Sequence, residues 1–140
     1  MYAAKDIAKY IVNRCIERCR PISNLQLQKI LYFCQRDFKQ IDGSTLFRDD
    51  FEAWQYGPVI PSVYRMFSLF GGMKINRRVR EEIEIDPDTR NVINRIVDKY
   101  SGYPAWDLVS MTHKKGDPWD QVFKDGKGNK RTIRKELIFG

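Results

Sequence analysis

The sequence predicts a mainly α fold, a compact single-domain helical bundle of about five to seven helices, with a small extended or two-stranded element before Gly57. Three observations support this. Apolar residues recur at three- and four-residue spacing along most of the chain, as in amphipathic helices. Gly57-Pro58 interrupts the clearest apolar–polar alternation, and 140 residues suit one domain. We therefore expect residues 1–140 to form a single domain, in which 127–140 make a flexible basic tail or a short terminal helix.

Two helices are predicted at the start of the chain. An apolar stripe predicts a helix over residues 3–19, and Pro21 suits its stop. The stripe consists of Ala4, Ile7, Ala8, Ile11, Val12, Cys15, Ile16 and Cys19. Ser23 and Gln26 have the spacing of a capping box for a second helix that ends near Ile41. Because this second helix is apolar over much of its circumference, we expect it to be the central one.

The chain from Phe51 onward is predicted to be an extended piece, a corner and a helix. Alternation of apolar and polar residues predicts the extended piece. Gly57-Pro58 makes a rigid corner, because glycine permits any φ and proline fixes its own φ and keeps its neighbour out of the helical region. Pro61 suits the first turn of a helix, which the glycine pair after Phe70 ends. Several aromatic side chains crowd this corner, and we expect them to be buried there.

Helix signals continue in the second half of the chain. Asp86 and Pro87 have the types favoured at a helix N-cap and first turn. A shorter helix is predicted over 104–112, and another turn or two at Pro118. Thr132 is predicted to cap a short final helix.

Charge and composition favour some functional classes over others. The net charge of +7 and the pI near 9.4 favour acidic partners, including nucleic acid, although the basic residues are only loosely grouped. No apolar run approaches the roughly 20 residues of a membrane span. Three cysteines are too few for a disulfide framework and suggest reduced thiols. The composition predicts a cytoplasmic protein with no membrane partner.

The sequence offers little catalytic chemistry. His113 is the single histidine, and a nucleophilic pair would require a thiol such as Cys34 beside it. Cys15 and Cys19 continue an apolar stripe, so we expect them to pack in the core rather than bind zinc. We predict no enzyme, no catalytic residue, no metal and no cofactor, and keep a hydrolase built on His113 and a thiol as a remote alternative.

Three segments of the chain resemble a known family. Residues 23–35 carry the leucine–glutamine–lysine run, 51–64 the alanine–tryptophan–tyrosine–glycine–proline–valine run, and 108–119 the threonine–histidine and proline–tryptophan pairs. In this order and spacing they resemble the Panacea-domain family, which includes SocA-like antitoxins and phage-associated GepA-type proteins. The family-signature residues are Leu27, Lys29, Tyr32, Trp54, Tyr56, Gly57, Pro58, Val59, Tyr64, Thr112, His113, Pro118 and Trp119.

The resemblance implies the antitoxin of a toxin–antitoxin system. Such a protein neutralises a co-encoded toxin by direct protein binding, and one family route also hands the toxin to an ATP-dependent protease. Because the toxins of the family are diverse, we expect the signature residues to hold the scaffold, with His113 as a buried hydrogen-bonding post. The variable surface then contacts the partner, and its candidates are Ser62, Arg65, Met66, Leu69, Lys74, Arg77, Arg78 and Arg80. The alternative is a phage or mobile-element protein that binds nucleic acid through its basic surface.

Overall fold

Seven α-helices and a three-stranded antiparallel sheet make up the fold, which a computed structural model describes for all of residues 1–140. The helices are α1 (Ala4–Glu17), α2 (Asn24–Asp42), α3 (Pro61–Met66), α4 (Pro87–Tyr100), α5 (Ala105–Thr112), α6 (Pro118–Phe123) and α7 (Lys135–Phe139). The strands are β1 (Phe51–Trp54), β2 (Gly57–Val59) and β3 (Thr132–Ile133). The predicted mainly helical class with a small extended element is confirmed. No helix combines the length and the apolar character needed to cross a membrane.

Helix α2 is the centre of the fold, as its sequence predicts. Its capping box is complete, since the Ser23 side chain accepts from the Gln26 backbone and the Gln26 side chain accepts from the Ser23 backbone. It ends at Gly43, whose φ of 88° is left-handed. Helices α1, α4, α5 and α7 all contact it. Surrounded in this way, α2 buries side chains on most of its circumference.

Three polar side chains of α2 are fully buried and bind backbone groups of neighbouring segments. Gln35 donates to the Phe47 carbonyl at 2.8 Å, and Gln28 accepts from the Ile60 N–H at 2.9 Å. Lys29 donates to the Pro58 carbonyl at 3.0 Å. Buried backbone groups need such partners. Helix α2 therefore holds irregular chain and the sheet in place as well as supplying apolar core.

The sheet is larger than the sequence predicts. Phe51 and Ala53 are buried and Trp54 is half-buried, as the alternation indicates. However, the chain does not bend away at Gly57-Pro58, because these residues form β2 and pair antiparallel with β1 across a turn at Gln55-Tyr56. Proline is tolerated there since β2 is an edge strand. The predicted corner is therefore the second strand of a hairpin.

The third strand comes from the C-terminal part of the chain. Thr132 was expected to cap the last helix, but it pairs with Glu52 in β3, and α7 begins only at Lys135. The backbone of Ala53 also bonds with the chain just before β3. Residues 127–140 thus include a strand and a short helix, whose Ile138 is buried. Nothing local to Thr132 signals a strand partner so far away in sequence.

Helix α1 is shorter than its apolar stripe. It ends at Glu17, and Cys19 is exposed with φ of 57°. This left-handed residue lets the N–H of Arg20 reach the Cys15 carbonyl at 2.8 Å, which is the bonding pattern of a Schellman cap. The prediction that Cys19 packs in the core beside Cys15 is therefore wrong.

The predicted helix from Pro61 to Phe70 is divided in two. After α3, Phe67 leaves the helical backbone region with φ of −110° and ψ of 14°, and its ring is buried. A single 3-10 turn, Ser68–Phe70, follows. Leu69 at its tip is 97% exposed.

Candidate functional site

The interior side of the β1–β2 hairpin is built from signature residues. Lys29 reaches across from α2 to bind the Pro58 carbonyl. A Cβ added at Gly57 would lie 2.7 Å from Lys29 Cε and 2.9 Å from Thr112 Oγ1. Gly57 also has φ of 112°, a backbone angle that residues with a side chain rarely adopt. Glycine is thus required at this position for two reasons, the positive φ of the backbone and the close approach of Lys29.

Lys29 is buried without a carboxylate in ion-pair distance. Burial lowers the pKa of Lys29 to about 7 because the interior disfavours the charged form. The hydrogen bond to Pro58 survives either way, since a neutral amine still donates. Lys29 therefore holds β2 in place through this hydrogen bond, and its pKa lies close to neutral pH.

Three stacked aromatic rings lie on the interior side of the hairpin. The His113 ring lies 3.6 Å from the Trp119 ring and parallel to it, and Trp119 stacks in turn on Phe123 at 4.6 Å. The Trp119 indole N–H donates to the Trp54 carbonyl at 2.7 Å. The structure thus brings the tryptophan–tyrosine and the histidine–tryptophan parts of the signature into contact.

The environment of His113 keeps its ring neutral. Burial and then the charge of Lys29 lower the pKa of His113 below its ordinary value, and Asp120 and the Tyr56 backbone oppose this. Its Nε2 atom is buried and has no hydrogen-bond partner. This side chain therefore combines the stacking contact on Trp119 with a hydrogen bond to the Tyr56 backbone.

Nucleophilic or metal chemistry gains no support from the cysteines. Cys34 is fully buried, and burial raises the pKa of this thiol above its ordinary value. Burial likewise raises the pKa of Cys15 to about 11. A protonated thiol is a poor nucleophile at neutral pH. No group of three or more His, Cys, Asp or Glu side chains is placed to hold a metal ion.

The outer side of the hairpin forms a concave surface that we call the aromatic groove. Its volume is about 650 Å³. The residues that define it are Trp54, Tyr56, Val59, Tyr64, Trp106 and Lys130. Tyr56 and Trp106 meet edge-to-face with ring centroids 5.2 Å apart, and Trp54 and Tyr64 lie at the same separation at a tilt. The hairpin, α3 and the first turn of α5 each contribute one or more of these rings.

These rings are exposed, contrary to the sequence-based expectation. Tyr56 is 48% exposed, Tyr64 40% and Trp106 59%, whereas Trp54 is half-buried. The expectation of buried corner aromatics is wrong for the two tyrosines, because the hairpin turn carries Tyr56 outward and Tyr64 lies away from the buried Val63 side of α3. Sequence reasoning missed Trp106 altogether. The available signal was its position off the buried face of α5, which consists of Leu108, Val109 and Thr112.

The one charged residue that lines the groove is a cation. This residue is Lys130, with Nζ 5.4 Å from the centroid of the Trp54 ring. Helices α2 and α5 both begin at its wall, and the first turns of helices carry partial positive charge. Two carboxylates outside the lining offset part of this charge: Glu52 accepts from the Trp54 indole N–H at 3.0 Å, and Asp107 lies in the first turn of α5.

The remaining signature residues are structural in position. Leu27 is fully buried, and Tyr32 is buried with its ring edge-to-face on Phe51 at 5.5 Å. Pro118 is the first residue of α6. Val59 is buried at the base of the groove.

The partner-binding candidates from the sequence lie on two neighbouring surfaces. On α3 and the turn after it, Arg65 and Leu69 are exposed, while Ser62 and Met66 are half-buried. On the irregular segment that follows, all four basic candidates are exposed: Lys74, Arg77, Arg78 and Arg80.

Two of these basic residues have partners within the chain. Arg78 pairs with Glu17, and Lys74 donates to the Gln26 side chain at 2.9 Å. The Gly71-Gly72 pair between the two surfaces lines the aromatic groove.

Comparison with known proteins shows the family. Residues 27–120 match the family described as antitoxin SocA-like, Panacea domain. The chain is 36% identical over 136 residues to antitoxin SocA of Caulobacter vibrioides (strain NA1000 / CB15N), covering 89% of this chain and 72% of that protein. Among solved structures, none matches. The chain belongs to the SocA-like antitoxin family with a Panacea domain.

Proposed function

We propose that this protein is the antitoxin of a toxin–antitoxin system and neutralises a co-encoded toxin by direct protein binding in the cytoplasm. Family membership supports the antitoxin role. The observation that carries direct binding is the exposure of Tyr56, Tyr64 and Trp106 around one groove. Contiguous exposed aromatic surface is unusual on a monomer and typical of protein-binding sites, where tyrosine and tryptophan are enriched.

The proposal needs no catalytic step. The aromatic groove has no histidine, cysteine or carboxylate among its lining residues, so binding chemistry is what it offers. A rigid aromatic surface suits stoichiometric inhibition of a partner. Sequestration and delivery to an ATP-dependent protease both begin with this binding step, and the half-life of the toxin in cells separates them.

Co-expression with the adjacent gene tests the proposal. We expect the neighbouring open reading frame to stop growth when expressed alone, and this chain to restore growth and to co-purify with the toxin in a fixed ratio. An adjacent product that is harmless, or growth restored without a complex between the purified proteins, would contradict the proposal. Toxin half-life measured with and without this chain then shows whether a protease takes part.

The basic segment 74–80 is a second candidate contact surface. Reversing the charges with Arg77→Glu, Arg78→Glu and Arg80→Glu removes one exposed ion pair, which costs at most about 1 kcal/mol of stability. We expect weaker rescue with an almost unchanged melting temperature. Full rescue by the triple variant would remove this segment from the proposed interface.

Nucleic-acid binding is the competing function, and it rests on the charge of +7. Binding driven by charge alone weakens steeply as salt rises. If DNA or RNA binding persisted at moderate salt while no toxin complex formed, the nucleic-acid function would replace the antitoxin proposal.

A further inference from the structure

We infer that the aromatic groove is the docking site for an extended acidic segment of the toxin, which places a large apolar or aromatic side chain in the groove against the contacting rings of Tyr56 and Trp106. This inference rests on the proposed antitoxin function and names the chemistry of the segment that it binds. The groove shares Tyr64 of α3 with the surface that the sequence favours, but it does not include the basic residues of 74–80.

The shape of the groove suits a side chain from an inserted segment. Its volume of about 650 Å³ lies within the range of pockets that enclose a ligand. Tyr56 and Trp106 pack edge-to-face on each other and form one wall, while Val59 forms an apolar base. Aromatic rings favour edge-to-face and offset contacts, so a third ring or a leucine that packs against this wall gains both packing and burial.

The walls are held in place before any partner binds. Trp119 and Lys29 fix the two strands of the hairpin by hydrogen bonds of 2.7 and 3.0 Å. Asn24 is buried and donates to the Tyr64 carbonyl at 3.0 Å, which fixes α3 against the start of α2. A site that is already ordered loses less entropy on binding.

The charge of the groove selects an acidic segment. Its one charged lining residue is Lys130, and the two helix N-termini at its wall add partial positive charge. A carboxylate beside the docked side chain can therefore pair with Lys130.

A protein segment fits this surface better than a nucleic acid does. A single strand requires several cations along a track for its phosphates, in addition to rings on which its bases stack. Here one lysine lines the groove, and Tyr56 and Trp106 meet edge-to-face instead of presenting a flat platform. The arrangement is that of a pocket for one anchoring side chain.

Peptide selection tests the inference. A phage-displayed random dodecapeptide library is panned on the full-length protein, with counter-selection on the Trp106→Ser variant. We expect the selected peptides to carry an aromatic residue or leucine beside aspartate or glutamate. The affinity of a synthesised consensus peptide should fall about tenfold or more on Trp106→Ser and on Tyr56→Ser, because anchor residues dominate binding.

Matched charge variants sharpen the test. Lys130→Glu should weaken the peptide by about fivefold, the effect of one exposed charge pair. Lys127→Glu alters an exposed lysine outside the groove and should leave the affinity unchanged. Since Tyr56 and Trp106 are exposed, their serine variants should lose only the contact between the two rings and melt within a few degrees of the wild type.

The inference is overturned by any of three results. First, the counter-selected library enriches no sequence or enriches basic ones. Second, the consensus peptide binds Trp106→Ser as well as it binds the wild type. Third, a labelled oligouridylate binds as tightly as the peptide and loses its binding on the same substitutions.

Rescue of growth in cells tests the groove inference separately from the antitoxin proposal. If wild type and Trp106→Ser rescue equally well, the groove inference fails and the antitoxin function stands, whereas absence of wild-type rescue fails the function itself.

Discussion

The two sides of the β1–β2 hairpin carry residues of one family signature but have different environments. On the interior side, Lys29 and Thr112 pack against Gly57, and Trp119 binds the Trp54 carbonyl. These side chains are buried. On the outer side, Tyr56 and Tyr64 of the same signature are 48% and 40% exposed.

The residues of one sequence motif therefore have two different physical roles, one in stability and one in binding. The interior residues make contacts that a folded hairpin requires, so their replacement should act on stability. The outer rings gain less from folding than the interior residues do, because nearly half of each tyrosine surface remains in water. Their replacement should act on binding. Substitutions at Gly57, His113 and Lys29 test whether the interior residues act on stability.

The largest effect is expected at Gly57. Gly57→Ala combines a left-handed backbone with a methyl group 2.7 Å from Lys29 Cε, and the two costs together are about 4 kcal/mol. Gly43→Ala is the matched control, since Gly43 has φ of 88° but no neighbouring atom within 4 Å, and should cost about 1 kcal/mol. Urea unfolding measures both. Equal costs at the two sites would show that Lys29 does not constrain the hairpin.

A smaller loss is expected at His113. His113→Ala removes the ring that stacks on Trp119 and should lower the free energy of unfolding by about 2 kcal/mol. His113→Phe keeps a stacked ring and removes an Nε2 atom that has no partner, but it also loses the hydrogen bond to the Tyr56 backbone, so it should cost about 1 kcal/mol.

Toxin binding distinguishes an interior support from a contact residue. Measured below the melting temperature of each variant, affinity for the toxin should be the same for both His113 variants and the wild type. If His113→Ala kept wild-type stability but lost toxin binding, His113 would be a contact residue like those on the outer side of the hairpin.

The smallest effect is expected from the titration of Lys29. In the unfolded chain the pKa of Lys29 has its ordinary value of 10.5, and in the fold burial lowers the pKa to about 7. Between these values the unfolded state binds more protons, so stability rises with pH. The destabilisation is complete below pH 7 and is relieved above it. The free energy of unfolding should increase by about 1.5 kcal/mol between pH 7 and 8.5.

Two variants test whether the slope belongs to Lys29. Lys29→Met should abolish this increase, whereas Lys127→Met, at an exposed lysine, should retain it. The pH range of this measurement ends near pH 8.5. Burial raises the pKa values of Cys15 and Tyr32 in the fold, to about 11 and about 12. At higher pH such groups ionise in the unfolded chain first, which lowers stability. A slope that persists in Lys29→Met would show that Lys29 does not titrate in the fold.

Local signals in the sequence predict most of the helical framework. The capping box at Ser23 and the Asp86-Pro87 start are both present, because they depend on residues three apart or adjacent. The C-terminal end of α2 at Gly43 depends on one glycine. Helix boundaries failed where a residue adopted an unusual conformation, as Cys19 does in place of the usual glycine.

Contacts between distant parts of the chain were beyond the reach of such signals. The pairing of β3 with β1 joins Thr132 to Glu52, and neither neighbourhood specifies the other. The groove likewise needs Trp106 from α5 beside Tyr56 from the hairpin. The position of Trp106 off the buried face of α5 indicates exposure, but nothing local places it beside Tyr56.

Periodicity, caps and motifs are local, so the amino-acid sequence was enough to predict the helical class, the central position of α2 and the resemblance to a family. Tertiary contacts were needed to place Lys29 in the interior without a counter-charge and to divide the signature between the two sides of a hairpin. Burial is a property of the assembled fold. A tyrosine next to a Gly-Pro pair is covered or exposed according to what packs there, and at Tyr56 the groove stays open.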